Sequence, residues 1–109
     1  MIGVSLVLAG CSSALDALPD AAEAAPARAT YEADAKRIGA ETKLTTPLEI
    51  AGPLEAKPMT VTHWLVCLRS TSPDQARQTY ALFYRNAKFD SYRFTAITDR
   101  CDEQTFRPL

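Results

Sequence analysis

The chain has 109 residues, with 12 basic and 13 acidic side chains and a formal net charge of −1, so it has room for one small domain. Its basic residues neither dominate nor cluster, which removes the electrostatic footprint of a nucleic-acid binder, and no nucleic-acid partner is expected. Four glycines leave little material for a phosphate-cradling loop, and there is no G-x-S-x-G turn and no calcium loop.

Residues 1–10 form an almost wholly apolar run, MIGVSLVLAG, that stops at Cys11. It is too short to span a bilayer, since a helix needs ~20 apolar residues to cross ~30 Å of hydrocarbon. The four residues Leu8-Ala9-Gly10-Cys11 resemble the lipobox of bacterial lipoproteins. In that family a leucine and two small residues precede the cysteine that is lipidated, and the leader before it is cut away. The resemblance implies that residues 1–10 are a signal peptide, that Cys11 is the acylated first residue of the mature chain, and that the membrane is a partner through that anchor. The two or three acyl chains of the family make such attachment lasting, at ~0.8 kcal/mol for each buried CH₂. Ser12, standing where an Asp would retain a lipoprotein at the inner membrane, implies the periplasmic face of the outer membrane. A secretory leader begins with basic residues, and none precedes Arg28, so a start upstream of Met1 is expected. The alternative is that Ile2–Leu8 is a buried strand or short helix and Cys11 a core cysteine.

If Cys11 is lipidated as the resemblance implies, an odd count of three cysteines becomes an even one. Cys67 and Cys101 are then expected to form one disulfide in an oxidising compartment. A bridge over such a loop stabilises by ~3–4 kcal/mol on the chain-entropy model. The alternative is two buried free thiols.

Residues 11–43 read as a tether with a possible short helix. Ser12–Pro26 is alanine-rich, without aromatic or β-branched residues, and cannot bury enough surface to offset its ordering entropy. Ala27–Glu41 places Tyr31, Ala35 and Ile38 on one helical stripe, with Thr30 as a start signal, Gly39 as a stop and Glu32–Lys36 as an i,i+4 pair. That helix covers a sheet, binds a partner, or is a solvated spacer. As a flexible coil, Ser12–Lys43 would span roughly 30 Å.

Residues 44–109 are expected to form a small antiparallel sheet of three or four strands in a meander, giving an α+β or mainly β fold. Leu44–Ala51 reads as a strand, placed at an edge by Pro47, and Gly52–Thr60 as a loop. Val61–Ser70 reads as the central strand because both its faces are apolar. After a Ser-Pro-Asp turn, Gln78–Arg85 and Phe89–Thr98 read as two strands joined through Asn86-Ala87-Lys88. Asp99–Leu109 reads as a polar tail pinned at Cys101.

No constellation for catalysis stands out, and neither an enzyme nor a cofactor is expected. His63, the one histidine, lies roughly 13 Å along a strand from Cys67, too far for a nucleophile and its base. Asp99, Asp102 and Glu103 read as a solvated charged turn. The aromatics between Trp64 and Phe94 are interleaved with arginines, the composition of interface hot spots; Tyr84, Arg85, Tyr92 and Arg93 are the candidate exposed patch, against the alternative that these aromatics are core. The expected function is that of a lipid-anchored, periplasm-facing envelope lipoprotein with a structural or interaction role and an envelope protein as partner. The second reading is a periplasmic ligand-binding or enzyme-inhibitor module, which a deep apolar pocket or protruding loop would favour.

Overall fold

Strand β2 (Trp64–Ser70) sets the architecture. Successive side chains alternate across a strand, so Val66 and Leu68 face one side and Leu65 and Cys67 the other, and all four are buried. A strand apolar on both faces needs cover on both sides. The computed structural model describes residues 23–56, 63–75 and 78–109. The residues that resemble a lipobox, Leu8–Cys11, and the expected strand start at Val61 and Thr62 lie outside them.

Three further strands and a two-residue addition complete the sheet. These are β1 (Leu48–Glu55), β3 (Thr79–Arg85), β4 (Lys88–Phe94) and β5 (Arg107–Pro108), in the antiparallel order β4-β3-β2-β1-β5. The fold is α+β, with five strands where three or four were expected. Strand β2 is central, as its two apolar faces predict, with Cys67 opposite Ala51 on one side and Ala81 on the other. Asn86 and Ala87 take φ of 53° and 63°, the pattern of a two-residue hairpin turn that follows the twist of the flanking strands.

Helix α1 (Arg28–Glu41) covers the first face. Its stripe of Tyr31, Ala35 and Ile38 is buried against Ile50, Val66, Leu68 and Leu82. The solvated-spacer alternative is therefore set aside, because the helix belongs to the domain. Gly39 lies within it rather than ending it, and lets the helix approach β1: a Cβ there would stand 2.6 Å from Leu48 Cδ1. Thr42 closes the last turn, its hydroxyl donating to the Ile38 carbonyl at 2.7 Å. The helix begins at Arg28, ahead of Thr30, and Glu32 accepts from Arg28 at 2.9 Å.

The expected strand at Leu44–Ala51 is displaced to Leu48–Glu55 and takes in Gly52 and Pro53, which had read as loop. A register shift between Ala51 and Leu54 accommodates them, with Gly52 at φ 104°; an added Cβ there would meet the Leu65 carbonyl oxygen at 3.1 Å. Pro47 precedes the strand, so its missing N–H costs no ladder bond. The outer edge of β1 is not free: β5 pairs with Glu49 and Ile50, and Leu109 N–H donates to the Leu48 carbonyl at 3.0 Å.

The second face is covered by the chain's own C-terminal segment. Ala51, Ala81 and Cys67 are small, which leaves room for a backbone to lie close to the sheet. Residues 95–106 cross it as a strap from the end of β4 towards the far edge, where the chain becomes β5. Cys101 is bonded to Cys67 at the middle of the crossing, S–S 2.00 Å and Cα–Cα 5.8 Å across a separation of 34 residues. Phe106 packs on the same face, under the Arg69 guanidinium at 3.7 Å from its ring centre. The expected last strand, Phe89–Thr98, thus stops at Phe94, because the chain must turn there to enter the strap.

The bridge holds a covering layer to the one strand that cannot do without it. Replacing both cysteines with alanine is expected to lower the unfolding free energy by about 3–4 kcal/mol, the loop-closure value for this separation. Urea denaturation of wild type and the double variant measures it.

Candidate interaction surface

Strand β4 is the opposite edge of the sheet from β5, and it is exposed along almost its whole length. Its pairing with β3 places Tyr92 opposite Leu82 and Phe94 opposite Tyr80, on the face that carries the helix. The helix covers only the start of β4, where Arg37 lies 4.7 Å over the ring of Phe89. Beyond that cover Tyr92 is 38% exposed, Phe94 60% and Ile97, in the following turn, 89%. Phe94 stacks on Tyr80 with ring centres 4.7 Å apart, and Tyr92 meets the same ring edge-on at 6.0 Å. Two aromatic side chains are thus held in place from below and left uncovered above.

The turn that carries Ile97 is braced. Asp99, buried at 5% exposure, accepts the Ala96 N–H at 2.8 Å and receives both terminal nitrogens of Arg93 at 2.7 and 3.1 Å. A bidentate pair fixes direction as well as distance. Arg93 also lies 4.7 Å over the ring of Phe83, so it is directed to the strap face. This corrects the reading of Asp99 as part of a solvated turn: it is a structural anchor for the start of the strap.

The four residues singled out from sequence therefore separate. Tyr92 lies in the exposed strip. Arg93 is turned to the other face. Arg85 is exposed at the β3–β4 turn, at the other end of the hairpin from Phe94. Tyr84 is wholly buried in the core, and its place in an exposed patch is corrected. The reason is position in the sheet: Tyr80, Leu82 and Tyr84 alternate onto the helix-covered face of an inner strand, whereas Tyr92 and Phe94 do so on an edge strand the helix does not reach. Phe94 and Ile97 were missed, although Tyr92 and Phe94 stand two apart, the spacing that shares a strand face.

A cleft of about 330 Å³ lies beside Glu49, Arg69 and the segment from Ser70 to Pro73. Its polar groups are turned on the protein itself: Arg69 bonds Glu49 at 2.9 Å, Ser70 donates to the Thr45 carbonyl, and Thr71 donates to the Pro47 carbonyl at 3.1 Å. It is polar, not the deep apolar pocket of a small-ligand module. Among the described residues no group of three or more His, Cys, Asp or Glu side chains stands together as a metal site, and no helix is long and apolar enough to cross a membrane. No family model, curated protein or solved structure matches the chain.

Tyr84 contributes stability rather than recognition. Its hydroxyl donates to Asp34 of the helix at 2.9 Å. Burial, then the hydrogen bond to Asp34 and the charge of that carboxylate, push the phenol well above its usual range, with Arg37 acting in the opposite sense. A phenol raised on folding keeps its proton longer in the native state, so its contribution is complete below the unfolded value near pH ~10 and is lost as pH rises above it. Tyr84→Phe is expected to flatten the alkaline loss of stability above about pH 10 and to cost about 1–2 kcal/mol at neutral pH. Urea midpoints measured from pH 7 to 11.5 test both.

Proposed function

We propose that the protein is a lipid-anchored envelope lipoprotein, held through Cys11 at the periplasmic face of the outer membrane, which binds an envelope protein through β4 and the strip Tyr92–Phe94–Ile97. The anchor rests on the sequence Leu8-Ala9-Gly10-Cys11. The observation that carries the interaction role is the unequal treatment of the two sheet edges. At one edge the two-residue β5 covers β1 and is too short to template a further strand. The other bears Phe94 at 60% and Ile97 at 89% exposure.

Proteins blunt open strand edges with charges, bulges and short strands. Strand β4 has a register shift beside Tyr84 and carries Lys88 and Asp90 in its first half. In its second half the one cation, Arg93, is drawn back onto Asp99. Arg93 also donates to the Phe94 carbonyl at 3.0 Å, and the rest of that half suits the addition of an extended segment, which gains backbone hydrogen bonds at the edge and apolar contact with alternate side chains. Aromatic side chains fixed in place lose little further freedom on binding, which favours them as anchors. The ligand-binding or inhibitor reading gains nothing from the polar cleft.

Two experiments test the proposal. Globomycin treatment of the expressing cells is expected to cause an unprocessed precursor to accumulate; unchanged processing would remove the anchor. Phe94→Asp and Ile97→Asp are expected to keep the wild-type circular dichroism and melting curve and to recover at least tenfold less of a partner from gently solubilised envelope, compared by quantitative mass spectrometry. Equal recovery by wild type and both variants would remove the β4 strip from the function.

A further inference from the structure

Glu23 meets the sheet in three ways before the helix begins. Its carbonyl accepts the Trp64 indole N–H at 3.0 Å. Its carboxylate accepts the backbone N–H of Asn86 at 3.2 Å and stands 3.4 Å from Nδ1 of His63. The three partners come from two elements, the start of β2 and the β3–β4 turn, and those lie at one end of the sheet, where Trp64 is opposite Tyr84. The Glu23 side chain is only 18% exposed in this clasp. The helix then leaves this end with its stripe on the sheet, so the segment from Glu23 onward is domain rather than spacer.

This changes the geometry of attachment. Only 12 residue steps separate Cys11 from Glu23. Fully extended they reach ~40 Å, about two fifths of the reach of the 32 steps from Cys11 to Lys43. A tether clasped at one end of a rigid body favours orientations with that end nearest the surface to which the tether is fixed, because placing the body between the clasp and the lipid draws the tether out towards its full reach at a cost in chain entropy. Strand β4 runs away from the clasp, from Lys88 beside the turn to Phe94, a distance of ~20 Å at the rise of a strand.

We infer that the sheet end formed by His63, Trp64 and the Asn86–Ala87 turn faces the phospholipid headgroups, and that Glu23 is the positioning residue that sets this orientation. The inference rests on the reading of Cys11 as the anchor and deepens it. Lys88, beside the turn at this end, is exposed, which suits phosphate groups; among the described residues Glu55, opposite Trp64 on β1, is an exposed acid of the same end. The strip at Phe94 and Ile97 is then held on the far side of the domain, open to a partner from the periplasm rather than to lipid.

The test has two arms, both on the full chain. In the first, the unlipidated Cys11→Ser form is compared with the same form carrying Glu23→Lys. Trp64 is the only tryptophan, so its emission reports the clasp directly. Glu23→Lys is expected to shift that emission to the red and raise acrylamide quenching about twofold with an unchanged far-ultraviolet circular dichroism spectrum; identical emission and quenching would overturn the clasp. In the second arm, the lipidated, ¹⁵N-labelled protein is placed on nanodiscs of phosphatidylethanolamine and phosphatidylglycerol doped with a gadolinium-chelate lipid. Relaxation enhancement at the amides of His63 and Asn86–Lys88 is expected to exceed that at Thr95–Ile97 at least twofold, and Glu23→Lys to level the two. Equal enhancement at both ends of the wild-type protein would overturn the orientation. Failure to associate with nanodiscs would overturn the anchor and the orientation together, while leaving the clasp measured in the first arm intact.

Discussion

The structure depends on one strand that is apolar on both faces. Leu65, Val66, Cys67 and Leu68 in succession exclude any arrangement in which β2 has a solvated side, so the chain must supply two covering layers from few residues. A regular amphipathic helix provides the first. The second is irregular, and it is held by a covalent bond at its centre and by charge-assisted contacts on either side. Ala51 and Ala81, flanking Cys67 across the ladder, make this possible, since larger residues would hold the strap too far off for Cys101 to reach. A domain this small buries a limited core and commonly needs such a staple.

The parts of the fold that were legible in sequence were those with a local period. The Tyr31–Ala35–Ile38 stripe, the two-faced central strand and the Asn86-Ala87 turn each carry their geometry in a few neighbouring residues. The misplaced parts depend on distant partners. Leu44–Ala51 has strand composition throughout, yet pairing begins only at Leu48, opposite Ser70. The segment before it is tied instead by Gln75, whose side-chain amide accepts from Thr45 N–H and donates to the Lys43 carbonyl at 2.6 and 3.1 Å. No periodicity marks Arg107–Pro108 as a strand, because it is one only where β1 lacks a neighbour.

The interleaving of arginines with aromatics suggested a recognition surface, and most of it is internal. Arg37 lies over Phe89, Arg69 over Phe106, Arg93 over Phe83 and Arg107 over Tyr31, between 3.7 and 5.8 Å from the ring centres. In each case a long side chain lays its guanidinium along the rim of the sandwich, where it shields apolar surface while its charge stays hydrated or paired. Composition cannot distinguish this use of arginine from an interface, since both rest on the same attraction between cation and ring. What distinguishes Tyr92 and Phe94 is that no arginine among the described residues is stacked on them; each instead packs against Tyr80.

The pairing of β5 with β1 bears on how the chain acquires its structure. Ile50 and Arg107 belong to opposite ends of the sheet-forming sequence, and the strap between them can settle only on a sheet that already exists. The first strand of the sheet is therefore sealed by the last, and the loop-closure entropy of nearly the whole domain is paid before that contact returns anything. Such a chain keeps its second apolar face open until synthesis of the domain is complete.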